Sequence, residues 1–101
     1  MIKITVLYGQ PQQPEVFESY YSQIHLPLVA AIDGIQRVEL TLFALSADGS
    51  LPEYYRMAEL YFDSQKQMDS VMSSAAAQVA VADIANFASG GATVLVGHVS
   101  A

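Results

Sequence analysis

Two kinds of hydrophobic periodicity follow one another along this chain, and their order limits the folds that it can adopt. Apolar residues recur at every second position in four segments, which predicts β-strands at 2–8, 35–45, 54–62 and 93–99. Helical spacing fills the two longer gaps between strands, at 14–32, 64–72 and 75–88. The resulting β-α-β-β-α-β order predicts an α+β, ferredoxin-like fold with an antiparallel sheet.

The length and composition of the chain predict one domain with apolar surface to spare. At 101 residues the sequence has the usual size of a single domain, which we expect to span residues 1–101. Apolar residues make up 52% of it and charged residues only 14%. Because so small a domain leaves much of its surface exposed, we expect a second copy or a ligand to cover part of it. No apolar run approaches the roughly 18 residues that a membrane span needs.

Charge and residue usage exclude several other classes of function. Four basic residues stand against ten acidic ones, and the net charge of −6 would repel a nucleic-acid backbone. The absence of cysteine excludes disulfides and thiolate metal sites, and His98 is remote in sequence from His25. We therefore expect no metal and no cofactor. The amino terminus lacks the features of a signal peptide, which favours a cytoplasmic location.

Helices in this topology cover one face of the sheet, so the other face needs an explanation. The predicted buried side consists of Ile4, Val6, Val38, Leu40, Leu42, Leu60 and Phe62. The predicted open side consists of Lys3, Thr5, Leu7, Arg37, Glu39, Thr41, Phe43, Tyr55, Met57, Glu59, Tyr61 and Leu95. This mixture of aromatic and polar residues suits a pocket for a small hydrophobic ligand and equally suits a homodimer interface. The candidate ligand-binding residues on it are Arg37, Thr41, Tyr55, Met57 and Tyr61.

The first helical segment contains the best candidate for acid–base chemistry. Pro27 should break or kink this helix next to His25, because proline lacks the N–H group and disfavours helical angles at Leu26. An imidazole at that break could exchange protons with a ligand, or it could hydrogen-bond a carbonyl group that Pro27 leaves free. Tyr21 lies four residues earlier and therefore on the same helical face.

Two carboxylates carry weaker predictions. Glu59 lies among apolar neighbours in the third strand, where it could orient a substrate or pair with Arg37 across an interface. Asp83 could hold one tautomer of His25 from the last helix, or it could simply face solvent. The predicted catalytic group is therefore His25, Tyr21 and Glu59, and Asp83 joins the candidate ligand-binding residues.

Four segments of the chain, in order, resemble the EthD family. They are Phe17–Val29 with an aromatic pair followed by His, a spacer, Pro and Leu, then Asp33–Ile35, Ala58–Ser64 and Asp83–Gly91. The family takes its name from a protein tied to ethyl tert-butyl ether degradation. The resemblance implies a dimeric α+β barrel, in which two protomers join their open sheet faces, and it matches His25 to the family's histidine.

The resemblance and the residues together lead to three hypotheses for function. The first is a cofactor-free enzyme of a catabolic pathway that transfers protons on a small apolar or aromatic carbonyl compound, as an isomerase, dehydratase or decarboxylase. The second is a non-catalytic dimer that binds a small hydrophobe in support of an oxidative degradation system. The third is a purely structural dimer with a filled barrel.

Overall fold

A computed structural model describes residues 1–100 of this chain and confirms the predicted α+β class. The four strands are β1 (Ile2–Gly9), β2 (Arg37–Leu42), β3 (Tyr54–Phe62) and β4 (Ala92–His98). The helices are α1 (Pro14–Tyr20), α2 (Leu26–Ala30), α3 (Gln65–Met72) and α4 (Ala75–Asp83). A π-helical turn, Tyr21–His25, joins α1 to α2, and a 3₁₀ turn, Ile84–Asn86, follows α4.

The strands form one antiparallel sheet in the order β2-β3-β1-β4, as the ferredoxin-like topology requires. In the register of the four strands, Ile4 lies opposite Leu60 and Val96, and Leu60 lies opposite Val38. These residues share the side of the sheet that faces the helices, which we call the helix side. The residues that alternate with them form the open side.

The first helical segment contains a wider turn where the sequence predicted a break. In the π turn the N–H group of Leu26 donates to the carbonyl oxygen of Tyr21, five residues back, and Leu26 keeps helical angles of φ −61° and ψ −37°. The prediction that Pro27 would push Leu26 out of the helical region is therefore wrong. Because Pro27 lies at the first turn of α2, its missing N–H group breaks no bond of that helix.

Serine caps begin the two helices that follow β3. The Ser64 hydroxyl accepts a hydrogen bond from the N–H group of Gln67, and the Ser74 hydroxyl accepts one from the N–H group of Ala77. The sequence leaves each cap open between two neighbouring residues, Asp63 or Ser64 for the first and Ser73 or Ser74 for the second, and the structure selects Ser64 and Ser74. The predicted helix over 75–88 ends earlier, because α4 gives way to the 3₁₀ turn after Asp83.

The helices cover the middle of the sheet and leave its edges uncovered. The core consists of helix-side residues of the two central strands, such as Ile2, Val6 and Phe62, packed against Phe17 and Met68 from the helices. On β2, by contrast, the helix-side residues Val38, Leu40 and Leu42 are exposed, Leu40 to 42% of its surface. The prediction that these three are buried is wrong for the protomer, because β2 lies at the edge of the sheet beyond the reach of the helices.

Candidate active site

A cavity of about 120 Å³ lies between the helices and the helix side of the sheet. Its apolar walls include Val6, Leu40, Leu60, Leu26, Val29 and Ile84. His25, Tyr21 and Tyr8 also line this cavity, whose surface is almost entirely apolar. The sequence predicted a pocket on the open side of the sheet, whereas this cavity lies on the opposite side of it.

His25 and Tyr21 project from the π turn as a stacked pair. Their ring centroids are 5.8 Å apart and the rings are inclined by 17°, and only 4% and 2% of the two residues is exposed. The two side chains therefore lie on one helical face, as predicted, and the π turn keeps them there. Phe87 packs against the imidazole at 4.6 Å between centroids and fixes the ring from the side of the last helix.

Asp83 holds the imidazole ring from across the fold. Its Oδ2 atom is 2.9 Å from Nδ1 of His25. Its Oδ1 atom accepts hydrogen bonds from the hydroxyl of Tyr20 at 2.5 Å and from the amide of Asn86 at 3.1 Å. Burial by itself would raise the pKa of Asp83, but the hydrogen bonds from Tyr20, Asn86 and His25 outweigh it and leave the pKa below its usual value.

The ionised carboxylate fixes the tautomer of His25. A carboxylate only accepts hydrogen bonds, so Nδ1 of the imidazole must carry the proton that it donates to Asp83. In the neutral ring Nε2 is then the basic nitrogen. This arrangement is the one by which a carboxylate orients a histidine for general-base chemistry.

Tyr21 supplies a hydrogen-bond donor, which complements the basic nitrogen of His25. Its hydroxyl is buried, and no atom of the described part of the chain forms a hydrogen bond with it. Burial raises the pKa of Tyr21 to about 12, with the nearby Arg56 opposing and Glu18 adding to the shift. The phenol therefore keeps its proton at neutral pH and can donate it in a hydrogen bond to a ligand oxygen. A buried donor without an acceptor costs about 1–3 kcal/mol, which a ligand would recover.

The open side of the sheet carries charged residues that pair with one another. Lys3 Nζ is 2.6 Å from Glu59 Oε2, and the hydroxyl of Tyr61 donates to Glu39 at 2.7 Å. The guanidinium of Arg37 lies 4.2 Å from the centroid of the Tyr61 ring. Arg37 also approaches Glu39, at 3.7 Å, and within the protomer Lys3 is the partner of Glu59. A pairing of Arg37 with Glu59 across an interface stays a prediction.

The structure thus divides the predicted site residues into two groups. His25 and Tyr21 line the cavity, and Asp83 binds His25. The register places five others on the open side of the sheet, away from the cavity: Glu59, Arg37, Thr41, Met57 and Tyr61.

Tyr55 belongs to neither group. The register of β1 with β3 shifts between Tyr8 and Gly9, which leaves Tyr55 without an opposite residue. Its ring packs at 5.1 Å between centroids against Phe17 of α1, so the prediction that it lies on the open side is wrong. The strand periodicity fails here because a bulge adds one residue and reverses the alternation of the side chains.

Three residues around the imidazole and the phenol escaped sequence reasoning. Tyr20 and Asn86 anchor Asp83, and Arg56 lies over the ring of Tyr21 at 5.1 Å from its centroid. The spacing of three between Asp83 and Asn86 on a helical segment is a sequence signal for the second of these contacts. Nothing local to the sequence indicates the others, because they join residues that are 63 and 35 positions apart (Tyr20 with Asp83, and Tyr21 with Arg56).

Residues 1–100 contain no group of three or more metal-ligating side chains close enough to hold an ion. Within the same range, each helix is too short or too polar to cross a lipid bilayer.

The chain belongs to the EthD family. The EthD domain model matches residues 9–91. An uncharacterized 11.0 kDa protein from the thcB-thcC intergenic region of Rhodococcus erythropolis is 40% identical over 99 residues, which cover 94% of this chain and 91% of that protein. The crystal structure of an EthD family protein from Bacillus halodurans superposes with a TM-score of 0.92 at 27% identity, over 99% of both chains.

More distant solved structures share the fold alone. A dimeric protein with a ferredoxin-like fold from Bacteroides fragilis has a TM-score of 0.67 at 14% identity, over 97% of this chain and 95% of that chain. SnoaB of Streptomyces nogalater, a cofactor-independent oxygenase, has a TM-score of 0.68 at 10% identity, over 97% and 91%. The ferredoxin-like α+β fold and the EthD membership predicted from the sequence are thus confirmed.

Proposed function

We propose that this protein catalyses proton transfer on a small apolar or aromatic carbonyl compound, without a cofactor and as part of a catabolic sequence. The observation that carries the proposal is the buried His25–Asp83 pair, in which His25 lines an apolar cavity. A polar pair of this kind costs free energy to bury, and a base held in one tautomer beside a ligand-sized space is a use for it.

The reaction divides between two side chains. Nε2 of His25 takes a proton from the carbon next to the carbonyl group, and the electron pair of the broken C–H bond moves towards the carbonyl oxygen. The hydroxyl of Tyr21 donates a hydrogen bond to that oxygen as negative charge develops on it. The imidazolium then returns its proton to another carbon, which completes an isomerisation, or to a hydroxyl group, which leaves as water and completes a dehydration.

Asp83 has a positioning role in this proposal. It keeps the Nδ1 proton of His25 in place and stabilises the imidazolium that forms. Glu59, which the sequence predicted to orient the substrate, lies on the other side of the sheet, so we assign it to the interface described below. SnoaB is described as a cofactor-independent oxygenase, and it supports the proposal that a protein of this fold carries out chemistry without a cofactor.

Hydrogen–deuterium exchange tests the proposal directly. The protein is incubated in D₂O with acetophenone and with a series of cyclic and aryl ketones, and loss of the signal from the protons next to the carbonyl group is followed by NMR. We expect exchange faster than in buffer alone. Ketones that bind in the cavity yet exchange at the buffer rate would favour the alternative function, a non-catalytic carrier of a small hydrophobe.

We also propose that two copies associate through the open side of the sheet. Two of the four basic residues, Lys3 and Arg37, pair there with Glu59 and Glu39, so this cluster is neutral on a chain of net charge −6. A neutral surface can meet its own copy without repulsion, and Leu95 adds an exposed apolar side chain to it. The dimeric neighbour from Bacteroides fragilis supports this assembly. Light scattering of the native protein tests it, and a monomer would contradict it.

A further inference from the structure

The floor of the cavity crosses the whole width of the sheet. In the register, Leu40 of β2 lies opposite Ala58 of β3. Ala58 in turn lies opposite Val6 of β1, which lies opposite Val94 of β4. All four side chains line the cavity, so the cavity is a trough that runs from one edge strand to the other. Because neighbouring strands are about 4.8 Å apart, three such spacings give the trough a length of about 14 Å.

The ends of the trough are exposed and its middle is buried. Leu40 at one end is 42% exposed, and Val94 at the other end is 56% exposed. Ala58 and Val6, which lie between them, are each only 7% exposed. The π turn, α2 and α4 all contribute residues to the roof over this floor. The trough can therefore enclose the middle of an extended ligand while the ends of that ligand reach the edges of the sheet.

The volume of the cavity limits the width of a ligand. About 120 Å³ is somewhat less than the roughly 150 Å³ of the engineered cavity that binds benzene. Because the smaller volume is spread over about 14 Å, the trough is narrower than a compact cavity of the same size. Its surface is almost entirely apolar, so burial of carbon groups is what it offers a ligand. An unbranched carbon chain suits such a space better than a ring.

Ala58 keeps the trough continuous. Its side chain is the smallest of the four in the floor, and it belongs to a central strand, away from both ends. A larger side chain at this position would fill the space between β2 and β1 and divide the trough into two short halves. The residue at position 58 therefore decides how long a ligand the cavity can accept.

We propose that the ligand of this cavity is an unbranched aliphatic chain that carries the carbonyl group, and that Ala58 determines this preference because its small side chain lets the chain cross the sheet. This inference rests on the proposed function, since it takes the cavity as the ligand site and narrows the substrate class. It concerns binding, so affinities test it without any catalysis.

Two uncharged methyl ketones with the same number of carbon atoms separate the shape of a ligand from its chemistry. 2-Octanone is a chain, whereas cyclohexyl methyl ketone contains a ring. Each is titrated into the native protein, and the dissociation constants come from NMR chemical shifts. Wild-type protein should bind 2-octanone at least about fourfold more tightly, which is the effect of burying one more methylene group.

A substitution in the middle of the trough tests the role of Ala58. In Ala58→Val the added methyl groups occupy the path of the chain, so the affinity for 2-octanone should fall at least about tenfold and the preference for the chain should disappear. Ala77→Val is the matched control, because Ala77 of α4 is fully buried but is not among the residues that line the cavity. This control should keep the wild-type preference.

Each outcome supports or overturns a defined part of the proposal. Equal affinities of wild-type protein for the two ketones would overturn the inference, whether or not Ala58→Val folds. A preference that persists in a folded Ala58→Val, or that is lost equally in Ala77→Val, would remove Ala58 from the role. Binding of 2-octanone without proton exchange in D₂O would reject the proposed catalysis and leave the preference for a chain intact. If neither ketone binds, the cavity is not the ligand site and both proposals fall.

Discussion

On the helix side of the sheet, His25 and Tyr21 come from the π turn between α1 and α2 and line a cavity, whereas on the open side the polar groups come from the strands and satisfy one another. The phenol of Tyr21 lacks a partner, while the phenol of Tyr61 donates to Glu39. The same four strands thus present an incomplete site on one side and a complete charge network on the other. An unsatisfied buried group indicates a ligand, and a satisfied neutral network indicates a surface that a partner can cover.

The largest expected difference between the two sides is in the rate of proton exchange, after replacement of His25 on the helix side or Glu59 on the open side. His25→Gln should slow proton exchange by about two to four orders of magnitude, the usual contribution of a general base, with ligand affinity unchanged. Glu59→Gln, on the open side, should leave exchange near the wild-type rate. Both are measured by the NMR exchange assay in D₂O, and equal losses in the two variants would show that the division of roles is wrong.

Replacing Asp83, the carboxylate that binds His25, should lower both the stability of the protein and the rate of proton exchange. Asp83→Asn loses an ionic acceptor of three hydrogen bonds, and we expect the free energy of unfolding to fall by about 2 kcal/mol. Denaturation in urea measures this change. Asp33→Asn is the control at an exposed site and should unfold like the wild type.

The difference in stability between the wild type and Asp83→Asn should depend on pH, because the pKa of Asp83 is lowered in the folded protein. Because folding favours the ionised form, the stabilisation is fully present above the ordinary pKa of 3.8 and is lost as the pH falls through the lower value of the folded state. Wild-type protein and Asp83→Asn should therefore converge in stability in that acidic range. A gap that stays constant below pH 3.8 would argue against an ionised Asp83.

Reversing the charge of Lys3 tests whether the open side of the sheet is the dimer interface. Lys3→Glu places a third carboxylate beside Glu59 and Glu39, so we expect the dimer dissociation constant to rise by at least about tenfold. Analytical ultracentrifugation measures it. The double change Lys3→Glu with Glu59→Lys restores the pair and should restore the dimer. A dimer indifferent to both changes would use another surface.

The smallest expected effect is the change in stability when the hydroxyl of Tyr21 or of Tyr61 is removed. Tyr21→Phe removes an unpartnered buried hydroxyl and should stabilise the ligand-free protein by up to about 1 kcal/mol while it weakens binding of acetophenone. Tyr61→Phe removes a hydroxyl that donates to Glu39 and should destabilise by about 1 kcal/mol. Chemical denaturation of both variants tests the opposite signs. A loss of stability in both would mean that Tyr21 has a protein partner.

The chemistry of the site was only partly visible in the sequence. His25 and Tyr21 are four residues apart on one helical segment, so their proximity is a local property, and they stack as that spacing predicts. Asp83 was a weaker prediction because it depends on how the last helix lies against the first. Glu59 was assigned to the same site because periodicity tells which residues share a side of a strand but not which side faces the ligand.

The sequence by itself determined the order of elements and the ferredoxin-like class, because these depend on the spacing of residues close together in the chain. Only the tertiary structure decided that the cavity lies on the helix side, that Asp83 binds His25, that Tyr55 turns towards α1, and that β2 is left uncovered. Each of these depends on contacts between distant segments, whose geometry is fixed by helix placement and by a bulge.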